Sequence, residues 1–191
     1  MINAVFIKKL KTDYQKREIE RRQIISRSND VLFQAKKTIF SLQREELSAA
    51  AEKLASMEAT LKKMGKDFGV SRLREEGAYH AAAEEYVEAK TLSMIVAGNK
   101  ITPIKGLQLG YDSYLGGFCD LIGEMVRFAT NRAAKGKYES VAEMKEKAEE
   151  IMNSLLDFDL TGYLRTKYDQ ARGHLRKLEQ MAYEIRLRKD K

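Results

Sequence analysis

The chain has 191 residues, a formal net charge of +7, one proline, one cysteine and no tryptophan. With Cys119 alone there is no intrachain disulfide framework, and a reducing, cytoplasmic setting is the expectation. No run of about 18 apolar residues could span a bilayer, and Met1 to Lys11 contains no small-residue cleavage site of a signal peptide, so no membrane role is expected.

With 43% hydrophobic and 33% charged residues and few helix breakers, the composition predicts one all-α domain over 1–191, large enough to bury roughly 70% of its unfolded surface. The positive charge points to a polyanion as one class of partner. Lys and Arg are spread along the chain, however, and a solvated helical surface accounts for that equally well.

Residues 1–64 contain neither Gly nor Pro. As one helix they would run to roughly 95 Å at 1.5 Å per residue, too long for a compact domain. Ile25, Ser28, Leu32, Ala35, Ile39 and Leu42 repeat at 3 and 4, but the same phase continues into Glu46, Ala49, Lys53 and Ser56. A fresh seam starts at Leu47 and takes in Ala50, Leu54, Met57, Leu61, Met64 and Phe68. The spacing predicts a sharp turn at 43–46 between a long first helix and an antiparallel second one. Off its seam the first helix is basic, at Arg17, Arg21, Arg22, Arg27, Lys36, Lys37 and Arg44, which reads either as a phosphate-facing surface or as a solvated one.

Gly65 and Gly69 close the second helix, and Ser71 is placed to cap the third, which carries Glu85 and Glu88 and ends near Gly98-Asn99. Between Gly98 and Gly110, around Pro103, the connection is long for a bundle and has room for a short extra helix. The fourth helix, from about Tyr111 to Lys135, has a core stripe of Leu115, Cys119, Ile122, Val126 and Ala129. Its other face reads Ser113, Gly117, Asp120, Glu124, Arg127 and Asn131, with glycines where a backbone or ligand can come close. Ser140 to Glu143 spells a capping box for the fifth helix, with Met144, Ala148, Ile151 and Leu155 inward. Thr161 is placed to cap the last, where Leu164, Tyr168, Ala171, Leu175, Leu178, Ala182 and Ile185 keep the 4-3 spacing of a helix-packing seam. The expected architecture is an antiparallel bundle of six or seven helices.

The chemistry centres on Glu85-Tyr86-Val87-Glu88. Positions 78, 81, 85, 88, 92 and 95 are Ala, Ala, Glu, Glu, Leu and Ile, so both acids interrupt an otherwise apolar stripe. A carboxylate taken out of water needs a cation, hydrogen-bond donors or a proton, because an isolated buried charge costs several kcal/mol or more. Asp120 and Glu124 form a second pair, near Gly116, Gly117 and Gly123. Side by side, the third and fourth helices would close an all-oxygen cage, which suits Mg²⁺ or Mn²⁺ better than Zn²⁺. Glu-x-x-Glu is also common on solvated helices, where such acids pair with Lys or Arg. A di-iron bundle would need two Glu-x-x-His motifs, and neither His80 nor His174 stands in one. Both histidines read as ordinary side chains, and Cys119, on the core stripe, as a buried inert thiol. No phosphate-binding glycine loop, nucleophile elbow or H-E-x-x-H is present.

Three stretches together resemble one family over nearly the whole chain. They are Ser26-Arg27-Ser28-Asn29-Asp30 through Ala35-Lys36-Lys37-Thr38-Ile39-Phe40 to Arg44; Glu85-Tyr86-Val87-Glu88-Ala89; and Tyr114-Leu115-Gly116-Gly117-Phe118-Cys119-Asp120-Leu121-Ile122-Gly123-Glu124. The closing runs Tyr163 to Asp169 and Leu178 to Arg186 add to the likeness. The chain resembles the translin/TRAX family, nearer to the TRAX (translin-associated factor X) branch, as a compact member of prokaryotic type.

That resemblance implies a translin-like subunit of about seven helices, a closed homo-octameric shell enclosing RNA, and an Mg²⁺- or Mn²⁺-dependent endoribonuclease. The catalytic acids of TRAX fall on Glu85, Glu88 and Asp120, with Glu124 a fourth acid at the metal. On this reading the metal polarises the scissile phosphate and acidifies a water that attacks phosphorus in line, leaving 5′-phosphate and 3′-hydroxyl ends. Arg127, three residues beyond Glu124 on the same face, would stabilise developing charge. Arg21, Lys36, Lys37, Arg165, Lys167 and Arg172 would meet the backbone of single-stranded or short duplex RNA. The alternatives are a non-catalytic, single-stranded nucleic-acid-binding oligomer of translin type, and a structural helical protein whose acids merely pair with Lys or Arg.

Overall fold

The computed structural model describes residues 2–189. Among these the chain forms seven helices and no strand: α1 (Ala4–Gln43), α2 (Leu47–Phe68), α3 (Val70–Leu73), α4 (Gly77–Val96), α5 (Tyr111–Ala133), α6 (Glu139–Leu156) and α7 (Gly162–Lys189). The all-α expectation holds. No helix among the described residues is long and apolar enough to cross a membrane.

Helix α1 starts where the Asn3 side chain accepts the backbone N–H groups of Val5 and Phe6 at 2.9 and 3.1 Å, an N-cap that satisfies two of the orphan donors of the first turn. It stops where the seam changes phase. Glu45 takes φ 64°, and the N–H groups of Arg44, Glu45 and Glu46 fold back onto the carbonyls of Ser41 and Leu42. The second seam is buried at Ala50, Leu54, Met57, Leu61 and Met64. The buried line of α1, however, runs through Ile24, Ser28, Val31, Ala35, Ile39 and Leu42. Ile25 and Leu32, expected at its core, are only half-buried.

Two predicted caps do not form. Gly69, at φ 79°, turns the chain into the single turn α3, where Ser71 is exposed; α4 opens instead behind Glu76, with no side-chain cap. Arg72 ties this corner together, reaching Glu76 at 2.8 Å, Glu75 at 3.3 Å and Glu20 of α1 at 3.5 Å. Ser140 lies inside α6, its buried hydroxyl without a hydrogen-bond partner, so the capping box is not made. The connection from Ala97 to Gly110 contains no helix; Ile104 is buried there, and its N–H donates to the Tyr114 hydroxyl at 3.2 Å.

Helix α1 packs between α2 and α4, α4 packs on α5, and α5 in turn on α6 and α7. Tyr86, Leu92, Leu121, Ile122, Met125, Met144 and Leu178 are fully buried where these layers meet, each contributing about 1.5–3 kcal/mol relative to an exposed position. The α7 seam is used inside the subunit, with Tyr168, Ala171 and Leu178 in the core.

Glycine sets how closely α4 and α5 approach. A Cβ at Gly117 would sit 2.9 Å from Val87 Cγ1 and 3.0 Å from the carbonyl oxygen of Glu84. Gly117→Ala is therefore expected to cost about 1–3 kcal/mol, because a backbone atom cannot yield as a flexible side chain can. Gly123→Ala, whose Cβ would meet only the His174 ring at 3.3 Å, should cost less. Thermal unfolding of the two variants checks the order.

Candidate metal and nucleic-acid site

The glycines of α5 do not open the helix to a ligand. They admit neighbouring helices: a side chain at Gly116 would overlap the Glu84 carboxyl, and one at Gly123 would press on His174 of α7. The close packing brings Glu84, Glu85 and Glu88 of α4, Asp120 and Glu124 of α5, and Lys167 and His174 of α7 into one electrostatic neighbourhood.

Glu88 lies deepest, 6% exposed. Its carboxyl is pushed up to about 9, chiefly by burial and then by the charges of Glu85, Asp120 and Glu124. Glu85, half-buried one turn earlier, is also raised, again first by burial, with Lys36 opposing and Asp120 adding to the shift. The apolar stripe is thus real toward the carboxyl end of α4, where Leu92 and Ile95 are in the core, and fades toward Ala81, which is exposed.

The other acids have partners. The Lys167 ammonium donates to Glu84 Oε1 at 2.8 Å and to Asp120 Oδ2, and the Tyr163 hydroxyl donates to Glu84 Oε1 at 3.0 Å. Burial alone would lower the Lys167 pKa; hydrogen bonds to Asp120 and Glu84 outweigh it and hold the amine well above its ordinary value. Gln43, at the end of α1, donates from Nε2 to Glu124 Oε2 at 2.7 Å and to the Glu124 carbonyl at 3.0 Å, while Asn131 Nδ2 donates to Gln43 Oε1 at 3.2 Å. Arg127 lies 3.5 Å from Glu124. Among the described residues, neither Glu85 nor Glu88 accepts a hydrogen bond or enters an ion pair through its carboxyl.

Among the same residues, no three His, Cys, Asp or Glu side chains stand close enough together to cage a metal ion. Lys167 stands beside Asp120, and Gln43 and Arg127 hold Glu124. The donor set nevertheless fits a hard divalent cation, being all oxygen and including a buried carboxyl with no internal partner. Binding would require Lys167 to give up Asp120.

The basic residues divide. Lys36 acts on Glu85, and Lys37 stands 4.2 Å above the ring of Phe33. Arg21 sits at the far corner, 3.5 Å from Glu76. Arg165 and Arg172 are exposed on α7 and pair with Asp169 at 3.0 and 3.7 Å. Lys167, expected at an RNA backbone, pairs inside the subunit with Glu84 and Asp120. Glu84, Gln43 and Tyr163, whose roles depend on three-dimensional neighbours, were not legible in the sequence, and His174 was expected to be an ordinary side chain. That ring lies against Gly123, its pKa lowered first by burial and then by Lys177, against the pull of Asp120 and Glu124. Equally illegible were Phe33 and Phe40, exposed aromatics that with Lys36, Lys37 and Lys53 line a shallow depression on α1 and α2. Cys119 is buried, its thiol pushed up to about 12 chiefly by that burial, and is inert as expected.

Comparison with known proteins bears on the fold and the family. The chain is similar to apo-NeC3PO, with 26% sequence identity, a TM-score of 0.83 and coverage of 96% of this chain and 97% of that one. It is similar in fold to AfC3PO, with 20% identity, a TM-score of 0.85 and coverage of 97% and 99%. It matches likewise AfC3PO solved in a complex with duplex RNA, at 20% identity, a TM-score of 0.83 and coverage of 95% and 96%. No curated protein matches. The model of the Translin family matches residues 19–189, which span all seven helices except the first turns of α1, and the chain belongs to that family.

Proposed function

We propose that the protein is a divalent-metal-dependent endoribonuclease of TRAX type, a single translin-like domain over residues 1–191 that acts in the cytoplasm as a homo-oligomer, an octamer on the family pattern. The observation that carries this reading is Glu88, a buried carboxyl without an internal partner in the field of three further acids. A carboxyl so placed only for packing would cost stability for no return. The presence of Glu85, Glu88 and Asp120 together supports the TRAX branch, and the fold shared with a protein that takes duplex RNA supports an RNA substrate.

Glu85, Glu88 and Asp120, with Glu124, would hold Mg²⁺ or Mn²⁺. A bound ion of this kind supplies positive charge to phosphoryl oxygens and makes water a better nucleophile at neutral pH. Lys167, freed from Asp120, supplies an ammonium for a non-bridging phosphate oxygen, and Tyr163 and Glu84 keep its stem in place. Arg127, at the exposed edge of Glu124, would stabilise charge developing on the leaving strand. Lys36 and Lys37 hold the backbone beside the acids, and Phe33 and Phe40 present ring faces on which unstacked bases can lie. Arg21, Arg165 and Arg172 would make only peripheral, salt-screened contacts, since each already has a carboxylate partner.

The test is cleavage of end-labelled single-stranded RNA. Cleavage in Mn²⁺ or Mg²⁺, suppressed by EDTA and leaving 5′-phosphate and 3′-hydroxyl ends, is the expected result. Retention of RNA with no turnover in either metal would favour the non-catalytic, nucleic-acid-binding oligomer. Lys36→Ala and Lys37→Ala should each weaken RNA binding with little effect on folding, and each should reduce the slope of log K against log salt by about 0.7–0.9. Filter binding across a salt series measures this.

A further inference from the structure

The acidic site continues along α5 into a corner that the metal reading does not use. Gln43, which holds Glu124, also accepts from Asn131, and at the next position Arg132 reaches Glu45 in the turn between α1 and α2. Glu45 is the meeting point of three cations. Arg132 Nη1 at 2.9 Å and Lys137 Nζ at 3.6 Å lie on its Oε2, and Lys135 Nζ at 3.5 Å lies on its Oε1. Among the described residues, none of the three pairs with any other acid.

The backbone singles out the same residue. Glu45, at φ 64°, is the only residue other than glycine with a positive φ among the described residues. It stands just past the end of α1, where glycine or asparagine is usual because a Cβ is strained there. A glutamate at such a position brings a carboxylate that glycine could not supply. Its two oxygens nevertheless serve three cations, and the buried Nε–H of Arg132 has no acceptor. Burial would raise the Glu45 carboxyl; Arg132, Lys137 and Lys135 together hold it below its ordinary value. The cluster still has a surplus of positive charge, which the carboxyl ends of α1 and α5, each equivalent to about half a negative charge, offset only in part.

That surplus selects the ligand. A backbone phosphodiester carries one negative charge, so exchanging it for the Glu45 carboxylate leaves the balance as it was. A terminal phosphomonoester carries about −1.5 to −2 and presents three acceptor oxygens, one for each cation. In the reaction proposed above, cleavage leaves such a group on the 5′ end.

We propose that Arg132, Lys135 and Lys137 form a pocket for the 5′-terminal phosphate of an RNA strand, with Glu45 as an internal stand-in that the phosphate displaces. The pocket rests on the reading of RNA as the substrate. Arg132 lies eight residues beyond Glu124, about 12 Å along α5. That is the span of roughly three to four stacked nucleotides at about 3.4 Å each. A strand anchored by its 5′-phosphate is presented to the acids at a set distance from its end, and the 5′-phosphate left by one cut anchors the strand for the next.

Binding of 3′-labelled single-stranded RNA, in EDTA so that no cut occurs, tests the pocket. RNA with a 5′-phosphate should bind about tenfold more tightly than the same RNA with a 5′-hydroxyl, the usual effect of one hydrogen bond to a charged group. Lys135→Ala/Lys137→Ala should remove that difference, and Glu45→Gly, whose backbone takes φ 64° without strain, should widen it. Helical circular dichroism checks that each variant is folded. In Mn²⁺ the 5′-phosphorylated RNA should give a dominant 5′ fragment of roughly three to four nucleotides. Equal affinity for the two RNAs overturns the proposal, as does a preference that survives loss of both lysines or vanishes in Glu45→Gly. Inorganic phosphate that abolishes the preference at the concentration of the RNA would assign the pocket to free phosphate and overturn it as a site for an RNA end. Absence of cleavage in Mn²⁺ would end the nuclease reading while the end preference in EDTA stood, so the two fail separately.

Discussion

Glu88→Gln should raise the stability of the metal-free protein at pH 7 by up to about 3 kcal/mol, and with Mn²⁺ present it should sharply lower RNA cleavage. The carboxyl is raised from 4.5 to about 9 by burial and by neighbouring acids. A group that binds its proton more tightly in the folded state contributes most stability below its unfolded pKa, and that contribution is lost as pH rises toward the folded value. For Glu88 the window runs from about 4.5 to about 9. At pH 7 roughly 2.5 units of it have been crossed, at 1.36 kcal/mol per unit. Glutamine keeps the shape and removes the titration, so the difference between parent and variant should shrink toward pH 4.5 and grow toward pH 9.

Cleavage should move the other way, falling by about 10²–10³-fold, the usual loss when one group stabilising transition-state charge is removed. Mn²⁺ should raise the melting temperature of the parent and not of the variant, because binding to the folded state adds RT ln(1 + [L]/Kd) only where a site exists. If Glu88→Gln cuts RNA at the parental rate, Glu88 is a buried acid without a catalytic task. If the variant is less stable than the parent at pH 7, the proposed cost of the buried charge is wrong.

The positions legible in the sequence were those where local pattern and tertiary packing agree. The change of seam near residue 45 could be read because no single helical phase accommodates both Leu42 and Leu47, and the chain turns there. The α7 seam could be read because its 4-3 spacing runs unbroken from Leu164 to Ile185. By contrast, Ile24 and Ile25, and Val31 and Leu32, are adjacent apolar pairs, and periodicity cannot choose within such a pair. Packing of α1 against α2 and α4 decides it, and Ile24 and Val31 are the buried members. Ser71 and Ser140 failed for the converse reason: each has the residue type of a cap, but Arg72 and its three glutamates set the α3–α4 corner, and α6 begins one residue before Ser140.

The acidic site was legible in part. Glu85 and Glu88 declared themselves because acids in an apolar stripe are costly, and Asp120 and Glu124 because of their spacing. What the sequence could not give was which acids are already neutralised. The pairing of Lys167 with Glu84 and Asp120 spans α4, α5 and α7, and the grip of Gln43 on Glu124 joins α1 to α5. No one-dimensional pattern encodes contacts between residues 47 or 81 positions apart. The glycines show the same limit: they signalled close approach correctly, but the approaching groups are Glu84, Val87 and His174 of the protein itself.

Lys167→Met should destabilise the metal-free protein by about 2–3 kcal/mol. That is below the roughly 3–5 kcal/mol expected on breaking a fully buried pair, because Asp120 keeps contact with water. The raised pKa of Lys167 means that its contribution is complete below the ordinary lysine value near 10.4 and is lost only at higher pH. The deficit attributable to this amine should therefore be flat from pH 6 to 9, where the Glu88 effect is not. The same substitution removes the ammonium that stands where a divalent cation would contact Asp120. Mn²⁺ should consequently shift the melting temperature of Lys167→Met more than that of the parent, recovering part of the lost stability. Cleavage should not recover with it, since the phosphate loses its ammonium contact. Differential scanning calorimetry with and without Mn²⁺, beside a single-turnover cleavage assay, separates the two effects. A Mn²⁺ shift in Lys167→Met no larger than in the parent would mean that the lysine and the metal do not compete, and that these acids fold around Lys167 alone.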